Sequence, residues 1–282
     1  MKKLALAVSV LAISAVGASA ADMAPVYTKA PAFVPPAVYD WTGFYVGVNG
    51  GYGWGGNTSP NLSVINPGGV GNIAAFLGAG LPGFTSGNLY PGLKPSGGFG
   101  GGQIGYDKQY GTWVVGAVAD IQASSFTNSA VIFTPFATTG SNLTESLSAK
   151  IDWFGTVRGK AGFAANDWLF YGTGGLAYGD ARSTIGFACT PGGAACSGVN
   201  SGGSTSETMV GWAAGAGISK AFGNWNVGVE YLHIDLGRSS VTGVNLTGNF
   251  PTTTITESQH FTNDMVRATV NYKFGGPVIA KY

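Results

Sequence analysis

Charged side chains are scarce in this sequence, making up 10% of its 282 residues, against about a quarter in an ordinary soluble domain. Long apolar runs are also missing. After the first twenty residues no stretch is apolar for the roughly 18 positions that a transmembrane helix needs. Lysine and arginine are scattered and the formal net charge is +1. The sequence therefore excludes transmembrane helices beyond its start and gives no indication of nucleic-acid binding.

Cysteine and histidine are rarer still, with two of each. Cys189 and Cys196 stand in the segment CTPGGAAC, where proline and glycine favour a turn that brings the two thiols together. We predict a local disulfide between them, which an exported protein keeps oxidised. Neither histidine is near in sequence and no carboxylate stands between the cysteines, so we expect no metal site here and no cofactor.

The beginning of the chain carries export signals. Two lysines are followed by a short apolar core and by the small-residue site Ala-Ser-Ala, the pattern of a secretory signal peptide. We predict a signal peptide over residues 1–20, cut between Ala20 and Ala21. Residues 21–40 hold four prolines and little periodicity, which predicts an extended periplasmic linker.

Glycine and aromatic residues are abundant, with 48 glycines and 12% aromatic residues. From residue 41 onward the apolar residues alternate with polar ones, the period of a β-strand. Eight strands are predicted over residues 43–54, 97–108, 112–122, 148–164, 167–181, 207–221, 224–237 and 262–274. Three connections are very short and four are long, over about 55–96, 123–147, 182–206 and 238–261, which is the layout of an outer-membrane barrel.

The alternation assigns one face of each strand to lipid and the other to the lumen. On the fourth strand Ile151, Trp153 and Val157 share the outer face. Charges of both signs fall on the inner face, where an unpaired buried charge is very costly. We therefore predict a paired lumen network and a plugged lumen, formed by Asp107, Asp120, Asp152, Arg158, Lys160, Glu230, Arg267 and Lys273.

Aromatic residues cluster near the predicted strand ends, as interfacial girdles require; they include Trp41, Trp54, Trp113, Trp168, Tyr171, Trp225 and Phe274. Strands of about 11 residues suit a tilted crossing of a bilayer. The predicted fold is an all-β, eight-stranded antiparallel up-and-down transmembrane barrel over residues 41–274. Four long loops face outside, three short turns face the periplasm, and a short tail follows over residues 275–282.

Several motifs carry a family resemblance: residues 41–54 (WTGFYVGVNGGYGW), 101–106 (GGQIGY), 153–159 (WFGTVRG), 171–179 (YGTGGLAYG) and 270–274 (VNYKF). In this order they resemble the alphaproteobacterial outer-membrane immunogenic protein family, which is similar to OmpA-type barrels. The resemblance implies an abundant structural barrel in the outer membrane of a Gram-negative bacterium, in contact with lipopolysaccharide. It also implies a terminal aromatic residue, Phe274 or Tyr282, that the barrel-insertion machinery reads.

The leading functional interpretation is a structural and surface-interaction protein, whose loops contact the environment or a host, because loops tolerate variation and carry recognition. A small porin that passes ions or small solutes is the alternative, supported only by the polar lumen. A further alternative is a haem-binding surface protein, with His260 in the fourth external loop as its ligand.

Catalysis is not expected, so the chain is predicted not to be an enzyme. Hydrolysis needs a base beside a nucleophile, and the sequence offers only His233, with Asp235, Ser239 and Ser240 close in sequence. No G-x-S-x-G elbow accompanies them, so His233 is interpreted as an interfacial side chain.

Overall fold

A computed structural model describes residues 39–56, 61–65, 93–136, 141–190, 200–245 and 254–275. The predicted signal peptide with Ala20 and Ala21, most of the linker, Cys196 and most of the C-terminal tail lie outside these residues. The described strands are β1 (Gly43–Gly55), β2 (Asn61–Ile65), β3 (Ser96–Tyr110), β4 (Trp113–Phe136), β5 (Ser141–Ala165), β6 (Trp168–Thr190), β7 (Asn200–Phe222), β8 (Trp225–Asn245) and β9 (Thr254–Lys273).

The sheet closes on itself. β1 pairs with β3 on one side and with β9 on the other, and each of β3 to β8 pairs with the next strand, always antiparallel. This ring of eight strands confirms the predicted barrel. The short β2 adds to β9 beyond the end of β1, at Thr254–Ser258. Within the described ranges, no helix is long and apolar enough to cross a membrane.

Tight turns join the strands at one end of the barrel, where the short connections were predicted. Gly111 and Gly223 both have φ of 62° and Asn166 has φ of 56°. A left-handed conformation at these positions lets two residues reverse the chain, and glycine and asparagine adopt it at low cost. We call this end of the barrel the short-turn end.

Most strands are longer than predicted. β4 to β9 contain 24, 25, 23, 23, 21 and 20 residues, although about 11 residues suffice to cross a bilayer. Much of the predicted loops 123–147, 182–206 and 238–261 is therefore strand, and those predictions are wrong. We call the added wall the distal extension, which comprises residues 126–136, 141–151, 181–190, 200–210, 238–245 and 254–262.

The polarity of the strands reverses between the two ends of the barrel. Near the short-turn end of β5, Val157 is 51% exposed on the outer surface while Arg158 is buried inside. In the distal extension, Leu147 is buried inside while Ser146 is exposed outside. A surface that meets lipid requires apolar side chains, whereas one that meets water favours polar side chains. This reversal places the membrane around the short-turn end alone.

A β-bulge lies at the level of the reversal. The pairing of β5 with β6 skips one residue between Ile151 and Trp153, and the pairing of β4 with β5 shifts between Ala123 and Phe126. An extra residue in one strand rotates the side chains that follow it. Ile151 therefore points into the barrel, whereas the sequence predicted that it faces outward.

Candidate functional site

Four charged side chains form a closed group in the lumen, which we call the charge quartet. Arg158 donates from Nη2 to Asp120 Oδ2 at 2.9 Å and from Nη1 to Glu230 Oε1 at 2.6 Å. Arg267 donates to the same Asp120 oxygen at 3.0 Å and, through Nε, to Glu230 at 2.8 Å. All four residues are at most 4% exposed. Two cations and two anions thus neutralise each other, because each arginine bridges both carboxylates through charge-assisted hydrogen bonds.

Further pairs complete the charged layer below the quartet, toward the short-turn end. Lys160 donates to Asp107 Oδ2 at 2.6 Å, and its ammonium group lies 4.9 Å from the centre of the Tyr45 ring. Lys273 donates to the backbone carbonyl of Asp40. We use the term charged layer for the quartet together with Asp107, Lys160 and Lys273.

An apolar layer fills the barrel above the charged layer. Phe154 packs against Phe99 and Phe126, with ring centres 5.4 and 5.7 Å apart, and Leu232 and Met265 are fully buried beside them. The cluster continues upward into the distal extension. Its other buried members are Leu93, Leu147, Ala149, Ile151, Ala177, Ala181, Ile185, Phe187, Met209, Ala213, Ile234, Leu236, Val241 and Phe261.

A cork closes the short-turn end, formed by residues 39–41, which precede β1. Trp41 is 3% exposed and packs on Val114 and Leu169 inside the barrel mouth. Its backbone N–H donates to Gln109 at 2.8 Å, and Tyr39 stacks edge-on against its ring. The sequence missed this arrangement, because it placed Trp41 and the inward-facing Tyr171 in an aromatic girdle. A proline-rich segment ending in an aromatic pair just before the first strand is the signal that was available.

Two cavities that the described residues line inside the barrel are small. A cavity of about 20 Å³ lies between the charged layer and Trp41, and another of about 10 Å³ lies beside Phe154 in the apolar layer. A water molecule needs roughly 10–15 Å³ of such space, so these cavities have the size of waters and not of solutes.

Seven of the eight side chains predicted for the lumen lie there, and Asp152 does not. Asp152 is the extra residue of the bulge in β5, and it pairs outside the barrel with Lys150 and Arg182. Its side chain is 29% exposed. The prediction for Asp152 is wrong because strict alternation was carried across a bulge that the sequence did not reveal.

The residues considered for hydrolysis, His233 with Asp235 and a nearby serine, do not form a catalytic group. His233 pairs with Asp264 and not with Asp235. Ser239 is buried inside the barrel, where it donates to Glu207. His260, assigned to an external loop, lies in β9 and pairs with Asp235. The haem-binding hypothesis was based on a histidine in an external loop, and His260 does not lie in one.

The remaining predicted positions are the two cysteines and the aromatic residue at the end of the barrel. Cys189 lies near the end of β6 and Cys196 is outside the described residues, so the disulfide stays a prediction. Phe274 follows β9 at the short-turn end, where its N–H donates to the Phe44 carbonyl at 2.8 Å and its ring contacts Tyr272.

Two rings of aromatic side chains bound the apolar outer surface. On each of three strands, two outward aromatic residues lie ten positions apart. They are Phe44 and Trp54 on β1, Trp168 and Tyr178 on β6, and Trp212 and Phe222 on β7. Ten residues at about 3.3 Å each, tilted by about 40°, span roughly 25 Å, the height of the apolar band of an outer-membrane barrel. Between the rings the outer surface exposes side chains such as Ile104, Val115, Val157, Leu176 and Val229.

A closed ring of eight antiparallel strands with this outer band defines the class as a transmembrane β-barrel. The chain belongs to the family of outer membrane protein beta-barrel domains, which matches residues 8–274. It is located in the cell outer membrane of a Gram-negative bacterium.

Two relatives extend the assignment. The 31 kDa outer-membrane immunogenic proteins of Brucella melitensis and Brucella suis are each 33% identical over 277 residues, covering 97% of this chain and all of theirs. They confirm the family resemblance of the sequence motifs. Among solved structures, the outer membrane protein OprG from Pseudomonas aeruginosa matches at 12% identity with a TM-score of 0.39, covering 83% of this chain and 98% of that chain.

Proposed function

We propose that this chain is a structural outer-membrane protein that offers a surface to the environment or a host, without conducting solutes or catalysing a reaction. The observation that carries the proposal is the continuous filling of the lumen. A cork, a charged layer and an apolar layer lie in series along the barrel axis. A solute crossing the barrel has to displace all three.

The distal extension supports the surface part of the proposal. Six strands continue beyond the outer aromatic ring and carry mostly polar side chains outward, with Val131 and Phe133 of β4 as exposed exceptions, so the barrel rises above the membrane as a wall. Strands hold a surface in place more rigidly than loops do. Both Brucella relatives are named immunogenic, which suits a protein whose outer part is accessible at the cell surface.

The proposed partners follow from this arrangement. Outer-membrane lipid and lipopolysaccharide surround the barrel, extracellular or host ligands meet the distal extension, and the insertion machinery reads Phe274. A porin remains the rival function, because the charged layer is polar enough to be imagined as an ion path.

Planar bilayers containing the purified full-length protein separate the two functions. The structural role predicts no conductance steps of porin size and no swelling of vesicles in small sugars. A deletion strain should become more sensitive to detergents, and the wild-type chain should restore resistance. Clear porin-like steps, or normal detergent resistance of the deletion strain, contradict the proposal.

A further inference from the structure

Both histidines of the chain lie in one group on the outer surface of β8 and β9. His233 donates from Nδ1 to Asp264 Oδ1 at 2.7 Å, and Tyr231 donates to the same oxygen at 2.6 Å. His260 donates from Nε2 to Asp235 Oδ1 at 2.9 Å. The exposed Arg238 stands directly opposite His260 in the pairing of the two strands. We call these six residues the rim cluster.

The height of the rim cluster places it at the outer headgroup boundary. Asp264 is ten residues from Phe274 on β9, so it lies at the level of the outer aromatic ring. Trp54 of β1 pairs directly with Asp264, and the Trp212 ring of β7 lies 5.2 Å from that of His233. Tryptophan and tyrosine at this level are the residues that anchor a barrel among lipid headgroups.

Within the described residues, the neighbouring strands place uncharged side chains beside the two pairs. The outward residues of β7 beside them are Trp212 and Val210, and those of β1 are Trp54 and Tyr52. The net charge of the rim cluster therefore depends on its histidines. With both neutral, two aspartates and one arginine leave a net charge of −1, and with both protonated the net charge is +1.

Protonation also creates new donors. Each histidine already gives one ring N–H to an aspartate, so an added proton appears on the other ring nitrogen. The side chains of His233 and His260 are 32% and 40% exposed, which leaves room for a ligand to accept from them. Arg238 and two new N–H donors suit a phosphate group, and the flanking aromatic rings suit the sugar that carries it.

We infer that the rim cluster binds the phosphorylated sugar headgroup of an outer-leaflet glycolipid, and that protonation of His233 and His260 strengthens this binding. The inference rests on the proposed placement of the outer part of the barrel in lipopolysaccharide. To that proposal it adds the binding site on the barrel, the chemical group that is bound and a dependence of the affinity on pH. The binding is therefore expected to be tighter in mildly acid than in mildly alkaline surroundings, because acid supplies the added protons.

A second group on the same boundary provides the control. Lys150 and Arg182 flank Asp152 on β5 and β6, beside Trp153 and Tyr178. This group combines two cations with one carboxylate and contains no histidine. It should bind the same headgroup chemistry without a dependence on pH.

The test measures binding of diphosphoryl lipid A to the full chain in detergent, at about pH 5 and about pH 8. One positive charge beside an anionic headgroup tightens association about fivefold, so two histidines predict about 25-fold tighter binding at the lower pH. In H233Q/H260Q the ratio between the two pH values should fall to about one. In R182A both affinities should weaken while the ratio remains.

Three controls make the result decisive. Heat-modifiable migration on gels confirms that each variant is folded. Lipid A without phosphates should show no pH-dependent strengthening, and inorganic phosphate at the same phosphate concentration should not reproduce the effect. A ratio that persists in H233Q/H260Q or with dephosphorylated lipid A overturns the inference, and a full response to inorganic phosphate overturns the lipid assignment. Conductance and detergent resistance do not depend on these outcomes, so the proposed function stands or falls separately.

Discussion

The charged layer and the apolar layer fill the same barrel by opposite means. Around the charged layer the outer surface is apolar and meets lipid, whereas around most of the apolar layer it is polar and meets water. The charged layer is stabilised by mutual neutralisation in the charge quartet, and the apolar layer by burial of Phe154, Leu232 and their neighbours. Both regions share one continuous sheet, but the medium outside, lipid or water, determines which side chains face outward. The alternate side chains then fill the lumen.

The largest expected effect comes from breaking the quartet. Glu230→Gln keeps the shape but leaves two arginines with a single carboxylate, Asp120. An uncompensated buried charge costs about 3–5 kcal/mol, so the free energy of unfolding in urea, measured in lipid vesicles, should fall by that amount. The double variant Glu230→Gln with Arg267→Met restores neutrality and should recover much of the loss. A loss below about 1 kcal/mol for Glu230→Gln contradicts pairing as the source of stability.

The next effect tests the apolar layer on the same strand. Leu232 is the next inward residue after Glu230 and is 0% exposed. Leu232→Ala should lower the free energy of unfolding by about 3–4 kcal/mol, because a buried leucine leaves a cavity. The outward Val229→Ala, which faces lipid, serves as the matched control and should lose clearly less. Equal losses at both positions contradict a packed apolar layer.

A third prediction concerns Glu145, a buried carboxylate of the distal extension. Glu145 lies inside the distal extension, outside the membrane-spanning segments, and is 4% exposed. Burial raises the pKa of Glu145 to about 7. The protonated carboxyl therefore contributes stability that is fully present below pH 4.5 and is lost as the pH rises through 7.

For this group the free energy of unfolding should fall by up to about 3 kcal/mol between pH 4.5 and pH 8. Glu145→Gln keeps the neutral form at every pH and should remove that fall. Unfolding of both proteins in urea at the two pH values provides the measurement. The same decline in wild type and variant assigns the pH dependence to other groups.

The smallest effect is expected outside the barrel. Asp152 pairs with Lys150 and Arg182 at partly exposed positions, where an ion pair contributes about 0–1 kcal/mol. Asp152→Asn should therefore change the unfolding free energy by less than about 1 kcal/mol, and high salt should erase the difference. A loss of unfolding free energy as large as that of Glu230→Gln would contradict the placement of Asp152 outside the lumen.

The sequence predicts the part of the barrel that lies in lipid. There the outer residues are apolar and the inner ones polar, and Gly111, Asn166 and Gly223 mark the turns. The distal extension was not predicted as strand because its outer residues, such as Ser146 and Lys150, are polar and resemble those of a loop. Alternation continues in it with the opposite sense, Leu147 inward and Ser146 outward, and a search for lipid-facing residues does not detect that.

The predicted side-chain orientation was wrong at individual positions where contacts with other strands determine it. One extra residue at the bulge of β5 turned Asp152 outward and Ile151 inward, and single-sequence alternation carries no signal for such an insertion. Trp41 was assigned to a girdle because tryptophan favours interfaces, yet the barrel mouth gives it a more complete burial. The seven other lumen charges were found because the strand segments next to the short turns keep a strict period of two.

Lipid accessibility along β5 tests the account most directly. In a chain whose two cysteines are replaced by serine, single cysteines at Val157 and Ser146 can carry an environment-sensitive fluorophore. Brominated acyl chains should quench the label at position 157, and a membrane-impermeant reagent on intact cells should reach only position 146. Quenching at both positions, or at neither, contradicts a barrel whose distal extension stands in water above the membrane.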